Sequence, residues 1–185
     1  METEATTIWT IGHSTRGIEV FLGMLASNGI EAVADVRRFP GSRRYPHYNR
    51  EPLCKVLSES GIEYLHFPEL GGRRVTRPDS PNTAWRNQSF RGYADYMGTD
   101  DFGAGLERLL QLAGTRQTAM MCAEALWWQC HRALIADYLK SFGITVRHIL
   151  SETKTELHPF TRAARIVDGK LSYSASLPPP EFKLE

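Results

Sequence analysis

Residues 117–150, QTAMMCAEALWWQCHRALIADYLKSFGITVRHIL, hold a strand, a helix and a second strand in that order. Gln117–Cys122 is an apolar run of strand length, and residues 144–150, ITVRHIL, read as the next strand. Between them Leu134, Ile135, Tyr138, Leu139 and Phe142 recur at helical spacing, with His131 on the same face one turn earlier. A strand, helix, strand unit of this kind implies a right-handed crossover and a parallel pair.

The upstream chain repeats the pattern. Residues 6–12, TTIWTIG, read as a buried strand, followed by Ser14 or Thr15 as the cap of a helix over IEVFLGMLASNG. That helix places Ile18, Phe21, Leu22 and Leu25 on one face, and Gly29 closes it. IEAVADV, residues 30–36, is the second strand. Asn49 can cap the next helix, with Pro52 in its first turn, Leu53, Val56 and Leu57 inward and Gly61 at its end. Cys54, on that helix, fits a buried packing position. IEYLHF is the third strand, and helices are expected around SFRGYADYM and DFGAGLERLLQLAG. The stretch Pro68–Gln88 is loop, long enough to be functional or mobile. Near the end, ARIVDGKLSYS suits a hairpin, because Asp168-Gly169 favours a tight two-residue turn.

The expected fold is therefore α/β: a single domain over residues 7–150, a mostly parallel sheet of about five strands, and helices on both faces. Residues 151–185 form a C-terminal extension with the hairpin and a Pro-rich tail.

Composition narrows the class. With 42% hydrophobic and 23% charged residues in 185, the chain is globular and long enough to bury a core. No apolar run approaches the ~20 residues of a membrane span, so no membrane partner is expected. The opening METEATTIWTIGHS is acidic and lacks an apolar signal region, and three cysteines make no disulfide framework. A cytoplasmic setting is the expectation. The net charge of +1 conceals a bias: from Val36 to Arg91 lie ten arginines and Lys55 against five acidic residues, a local +6. Arginine in place of lysine favours an anionic ligand, since its planar fork suits phosphate or carboxylate, although a solvated basic face would look the same.

In open parallel sheets ligands bind beyond the carboxyl ends of the strands. Polar clusters follow four of the strands here: His13 and Ser14 after the first; Asp35, Arg37 and Arg38, then Ser42, Arg43 and Arg44, after the second; Gly71, Gly72, Arg73 and Arg74 after the third; Cys122 and Glu124 after the fourth. That edge is the candidate site. His13, Ser14, Arg37, Ser42, Arg43, Arg44, Gly71, Gly72, Arg73, Arg74 and Arg132 are its candidate ligand-binding residues.

The chemistry centres on Cys122, Glu124, His131 and Asp35 as catalytic candidates. Cys122, near Arg132 and a helix N-terminus, is either an activated thiolate or a small buried hydrophobe. His131 is either a neutral proton acceptor or a satisfied core histidine. Asp35 acts as a base or, with Arg37 and Arg38 so near, holds arginines in place. Cys122, Cys130 and His131 have metal-ligand chemistry, but adjacent Cys130 and His131 would point about 100° apart on a helix. A reversible Cys122–Cys130 disulfide is a further option. The arginine follows Cys122 by ten residues, and AEALWWQ carries no glycine, so a phosphatase-like anion loop is not expected.

TIGHS, ADVRRFPGSRRYPHYN, YLHFPELGGRR, FRGYADYM and CAEALWWQCHRALIADYL together resemble the bacterial and archaeal domain-of-unknown-function family 488. The resemblance runs in order over about residues 8–150, and its most specific part is the Cys-x-Glu…Cys-His-Arg block. It implies one compact α/β domain with a polar motif site, and it implies no reaction. On the residues, the leading expectation is an enzyme-like domain binding a phosphorylated small molecule or nucleic acid, with Cys-dependent transfer or hydrolysis. The alternatives are a non-catalytic nucleic-acid-binding module, stacking bases on Tyr45, His47, Tyr48, Trp85, Phe90 and Tyr93, and a metal or redox protein. No cofactor and no oligomeric state is assigned.

Overall fold

A computed structural model describes residues 6–177. The Pro-rich tail expected from the sequence begins at residue 178 and lies outside the described residues. The elements run β1 (Thr7–Gly12), α1 (Ile18–Ser27), β2 (Ala32–Asp35), α2 (Arg50–Glu59), β3 (Glu63–His66), α3 (Gln88–Tyr96), α4 (Asp100–Ala113), β4 (Thr118–Cys122), α5 (Arg132–Ser141), β5 (Thr145–Ile149), β6 (Thr155–Leu157), β7 (Arg165–Val167) and β8 (Lys170–Ser172).

Strands β1 to β6 form one sheet in the order β3-β2-β4-β1-β5-β6, parallel except for β6. The mostly parallel sheet of about five strands is present, with β6 added as a short sixth strand. β6 is only three residues long and carries Glu156 beside Leu157, so it has too little apolar pattern to announce itself. The hairpin is present as β7-β8, and Asp168 and Gly169 both adopt positive φ, as a two-residue turn of this hand requires.

Alternate residues of the central strands feed two cores. Ile11, Val33, Ala119 and Met121 pack with Phe21, Met24 and Leu25 of α1 and Leu53 and Leu57 of α2. Ile8, Ala34 and Met120 pack with Phe102, Leu106 and Leu109 of α4 and with Leu134, Ile135 and Leu139 of α5. Both faces of the sheet are thus buried, which is why its strands read as continuous apolar runs.

Local details depart from the sequence reading. Neither Ser14 nor Thr15 caps α1; Gly17 precedes it, and Ser14 takes a left-handed φ of 49° instead. Asn49 precedes α2, but its side chain accepts from the Ser42 amide and does not cap the helix. Cys54 is exposed, because α2 turns only Leu53 and Leu57 fully inward. The helix after β4 begins at Arg132, so residues 123–131 are a loop with one short 3-10 turn at Trp127–Gln129. No helix among the described residues is long and apolar enough to cross a membrane.

Candidate active site

Strand register assembles the site. Gly12 pairs with Cys122, and Asp35 pairs with both Met121 and His66, so β1, β4, β2 and β3 end side by side at one edge. The His13 amide donates to the Cys122 carbonyl at 3.0 Å and the Ser14 amide to the Ala123 carbonyl at 2.9 Å, tying the first loop to the fourth. Beyond this edge lies a cleft of about 630 Å³. Its walls include His13, Arg37, Arg38, Arg73, Cys122, Glu124, Cys130 and His131.

At its floor two sulfurs meet. Cys122 Sγ lies 3.1 Å from Cys130 Sγ, and Arg132 Nε donates to both, at 3.0 and 3.3 Å. Their surroundings differ. Cys130 Sγ faces only donors, namely Arg132 Nε, the Arg132 amide at the start of α5 at 3.4 Å, and the Cys122 thiol. Cys122 Sγ has a second neighbour that can accept its one proton, the Glu124 carbonyl at 3.8 Å. Burial would raise both thiols. For Cys122 it prevails, reinforced by the hydrogen bond to Cys130. For Cys130 it is outweighed by that same hydrogen bond and by the charge of Arg132, and the thiol falls well below its ordinary range. The surroundings thus favour the proton on Cys122 and the negative charge on Cys130. The sequence reading left Cys122 as either an activated thiolate or a small buried hydrophobe; α5 starts two residues past Cys130, and the Arg132 amide there is directed at Cys130 Sγ.

Arg132 is fully buried and no carboxylate among the described residues pairs with it. Its Nη1 donates to Thr10 Oγ1 at 3.1 Å and its Nη2 to the Glu124 carbonyl. The Thr10 hydroxyl reaches His148 Nδ1 at 2.6 Å, and His148 and His158 continue the line to Asp137. Sequence reasoning missed Thr10, His148 and Asp137, which lie in core strands and a helix with no local signal, and His158, which directly follows β6.

The two cleft histidines are neutral and of fixed tautomer. His131 Nε2 donates to the Val36 carbonyl at 2.9 Å, leaving Nδ1 bare, and burial lowers its pKa. His13 Nδ1 donates to the Ser14 carbonyl at 2.9 Å, and its Nε2 accepts from Arg37 Nη1 at 3.2 Å. Burial, with the charge of Arg37, pushes His13 down to about 4. Its ring stacks on Tyr48 with centroids 4.1 Å apart.

Asp35 is saturated. It accepts from Arg37 Nε at 2.8 Å, Arg37 Nη2 at 2.6 Å, the Arg37 amide and the Tyr64 hydroxyl at 2.7 Å. This geometry suits holding Arg37 and leaves little for a base. Glu124 stands exposed at the rim, and Ser42 lines the wall. Arg38 and Arg73 are exposed there, without a carboxylate partner among the described residues.

Of the remaining candidates, Ser14 and Gly72 line the cleft and the others do not. Arg43 and Arg44 are exposed off the cleft, with Arg44 over the Tyr45 ring. Arg74 is held at the Tyr96 ring, 3.6 Å away, and donates to the Gly71 and Pro68 carbonyls. Gly71 and Gly72 answer to packing: a Cβ would meet Arg38 Cα at 2.7 Å or His131 Nδ1 at 2.9 Å. For metal, the described residues contain no group of three His, Cys, Asp or Glu placed around one point. Arg132 already occupies the position against both sulfurs that a cation would need.

The family model described as domain of unknown function DUF488 matches residues 17–139. The chain belongs to that family. The match takes in Arg37, both cleft cysteines, His131 and Arg132 of this DUF488 chain, and leaves His13, His148 and His158 outside it. No curated protein and no solved structure matches the chain.

Proposed function

We propose that the cleft is the active site of a thiol-dependent enzyme that binds an anionic, phosphate-bearing ligand and acts on it by nucleophilic transfer or hydrolysis. The observation that carries this reading is Arg132: a fully buried guanidinium, without a carboxylate partner among the described residues, whose Nε donates to the sulfurs of both Cys122 and Cys130. Burying an unpaired cation costs several kcal/mol. The thiolate that offsets this cost is also a nucleophile, placed at the floor of a cleft.

The rest of the cleft suits the role. Arg38 and Arg73 at the mouth would hold the anion, and Phe39, Tyr45 and Phe90 on the walls offer flat apolar surface for a planar group such as a nucleobase. His131 Nδ1 is bare and can accept a proton. The nucleic-acid module fits less well, since two of its six stacking candidates, Tyr48 and Tyr93, are buried and donate their hydroxyls to the Arg16 and Leu70 carbonyls.

The test is alkylation of each cysteine against pH, resolved by peptide mass spectrometry. Cys130 should react fast, with a midpoint well below the ~8.5 of a free thiol. Inorganic phosphate or adenosine monophosphate should slow it. A Cys130 inert across the range, or indifferent to both anions, would remove the reading.

A further inference from the structure

Cys122 is fixed at the end of β4, while Cys130 sits on the loop 123–131 just ahead of α5. Their sulfurs are 3.1 Å apart. A disulfide needs about 2.05 Å, so the loop has to close by only about 1 Å. The two sulfurs also stand in different surroundings: Cys130 accepts from Arg132 Nε and from the Arg132 amide, while Cys122 has the Glu124 carbonyl beside it. A simple acyl- or phosphoryl-transfer nucleophile has no use for a second thiol in contact with it. The mouth of the same cleft carries two arginines, Arg38 and Arg73, without carboxylate partners among the described residues.

From this geometry we infer that the cleft carries a further activity, reversible thiol–disulfide exchange with small anionic disulfides, in which Cys130 attacks and Cys122 resolves. The inference rests on the thiolate of the proposed function, but not on its phosphate ligand. In the first step the Cys130 thiolate forms a bond to one sulfur of the substrate R–S–S–R, and R–S⁻ leaves. In the second, Cys122 sulfur attacks Cys130 sulfur, the Cys122–Cys130 bond forms, and the second R–S⁻ leaves with the proton of Cys122. Two electrons pass from the protein dithiol to the substrate disulfide. The products are one protein disulfide, one RS⁻ and one RSH. Closing the disulfide removes the thiolate beside Arg132, so the dithiol is the favoured state and an excess of substrate disulfide is needed to drive the cross-link.

The experiment uses the full chain with Cys54→Ser, because the exposed Cys54 would otherwise exchange on its own. Reduced protein is mixed with excess oxidised glutathione, which carries carboxylates, or with cystamine, which is cationic. With oxidised glutathione the expected result is a peptide linking Cys122 to Cys130, and two small thiols released per chain. Adding Cys122→Ser, or Cys122→Ala if the serine variant fails to fold, should leave glutathione trapped on Cys130 with one thiol released. Oxidised glutathione should react at least tenfold faster than cystamine, and Arg38→Ala with Arg73→Ala should abolish that advantage. Equal rates for the two probes would overturn the substrate class. Absence of the cross-link, with Cys130 still alkylating as a thiolate, would overturn the exchange and leave the proposed function standing. A Cys130 that neither alkylates nor exchanges would overturn both.

Discussion

Arg132 and Asp137, both on α5, are the charged ends of one buried line of hydrogen bonds. Arg132 can only donate and the Asp137 carboxylate can only accept, so every proton between them is assigned. Thr10 accepts from Arg132 and donates to His148 Nδ1; His148 Nε2 donates to His158 Nδ1 at 2.9 Å; His158 Nε2 donates to Asp137 Oδ1 at 2.9 Å. Asp137 also accepts from the Thr161 amide, the Thr161 hydroxyl and the Tyr173 hydroxyl. The thiolate site at the sheet edge is thereby tied to the segment after residue 150.

Asp137→Ala should therefore do more than leave a gap. It strands four buried donors and removes the anionic end of the line. A loss of about 3–5 kcal/mol is expected, as for breaking a buried pair from one side. Urea unfolding of the two proteins measures it, and a loss below about 1 kcal/mol would mean that the line carries no weight.

Arg132→Lys keeps the charge but cannot reach two sulfurs, Thr10 and the Glu124 carbonyl with one ammonium. The alkylation midpoint of Cys130 should rise by a unit or more, corresponding to about 1.4 kcal/mol per unit. An unchanged midpoint would assign the thiolate to the α5 amides alone.

Acid should destabilise the fold in a specific window. Burial, chiefly, holds His13 at about 4 and His148 at about 2, against an ordinary 6.5. With folded values depressed, both contribute stability that is complete above about pH 6.5 and is lost as pH falls from there. Between about pH 6 and 5 the unfolded chain takes up both protons and the folded chain neither, so stability should fall by roughly 2–3 kcal/mol per pH unit, and less steeply toward pH 4 as folded His13 itself protonates. Denaturant midpoints from pH 8 to pH 4 give the curve. A flat profile down to pH 5 would show that these rings protonate without unfolding.

Much of this architecture is legible in the chain, and the reasons it stops being legible are physical. The apolar runs of β1, β2 and β4 and the helical periodicity of α1 and α5 follow from burial on both faces of the sheet, which leaves a strong local pattern. The edge rule then brings His13, Arg37, Cys122 and Glu124 together. What it misses depends on where a helix starts and which way a side chain turns. The start of α5 at Arg132 directs that residue's amide at Cys130, and the turn of α2 leaves Cys54 exposed. Gly71 and Gly72 read as ligand-binding candidates beside Arg73 and Arg74, and their missing side chains make room for Arg38 and His131. Thr10, His148 and Asp137 are polar residues inside apolar elements, and only their three-dimensional contacts distinguish them from isolated exceptions.

Gly72 offers the most selective probe of His131. A Cβ there would stand 2.9 Å from His131 Nδ1 and 3.3 Å from its Cγ, closer than a ring can tolerate without moving. His131 is held on its far side by the Nε2 hydrogen bond to the Val36 carbonyl, at the carboxyl end of β2. Gly72→Ala must therefore either break that bond or shift the loop that carries residue 72. Gly41 lines the same cleft with open space where its Cβ would go, so Gly41→Ala controls for the mere addition of a methyl group. Nitrogen-15 NMR of the histidine rings should show His131 in the Nε2–H tautomer in the parent and in Gly41→Ala. In Gly72→Ala it should lose that fixed tautomer, and phosphate or adenosine monophosphate should protect Cys130 less well. Unchanged His131 resonances in Gly72→Ala would show that the loop yields instead, and that His131 is fixed by Val36 and Tyr93 without help from the glycine.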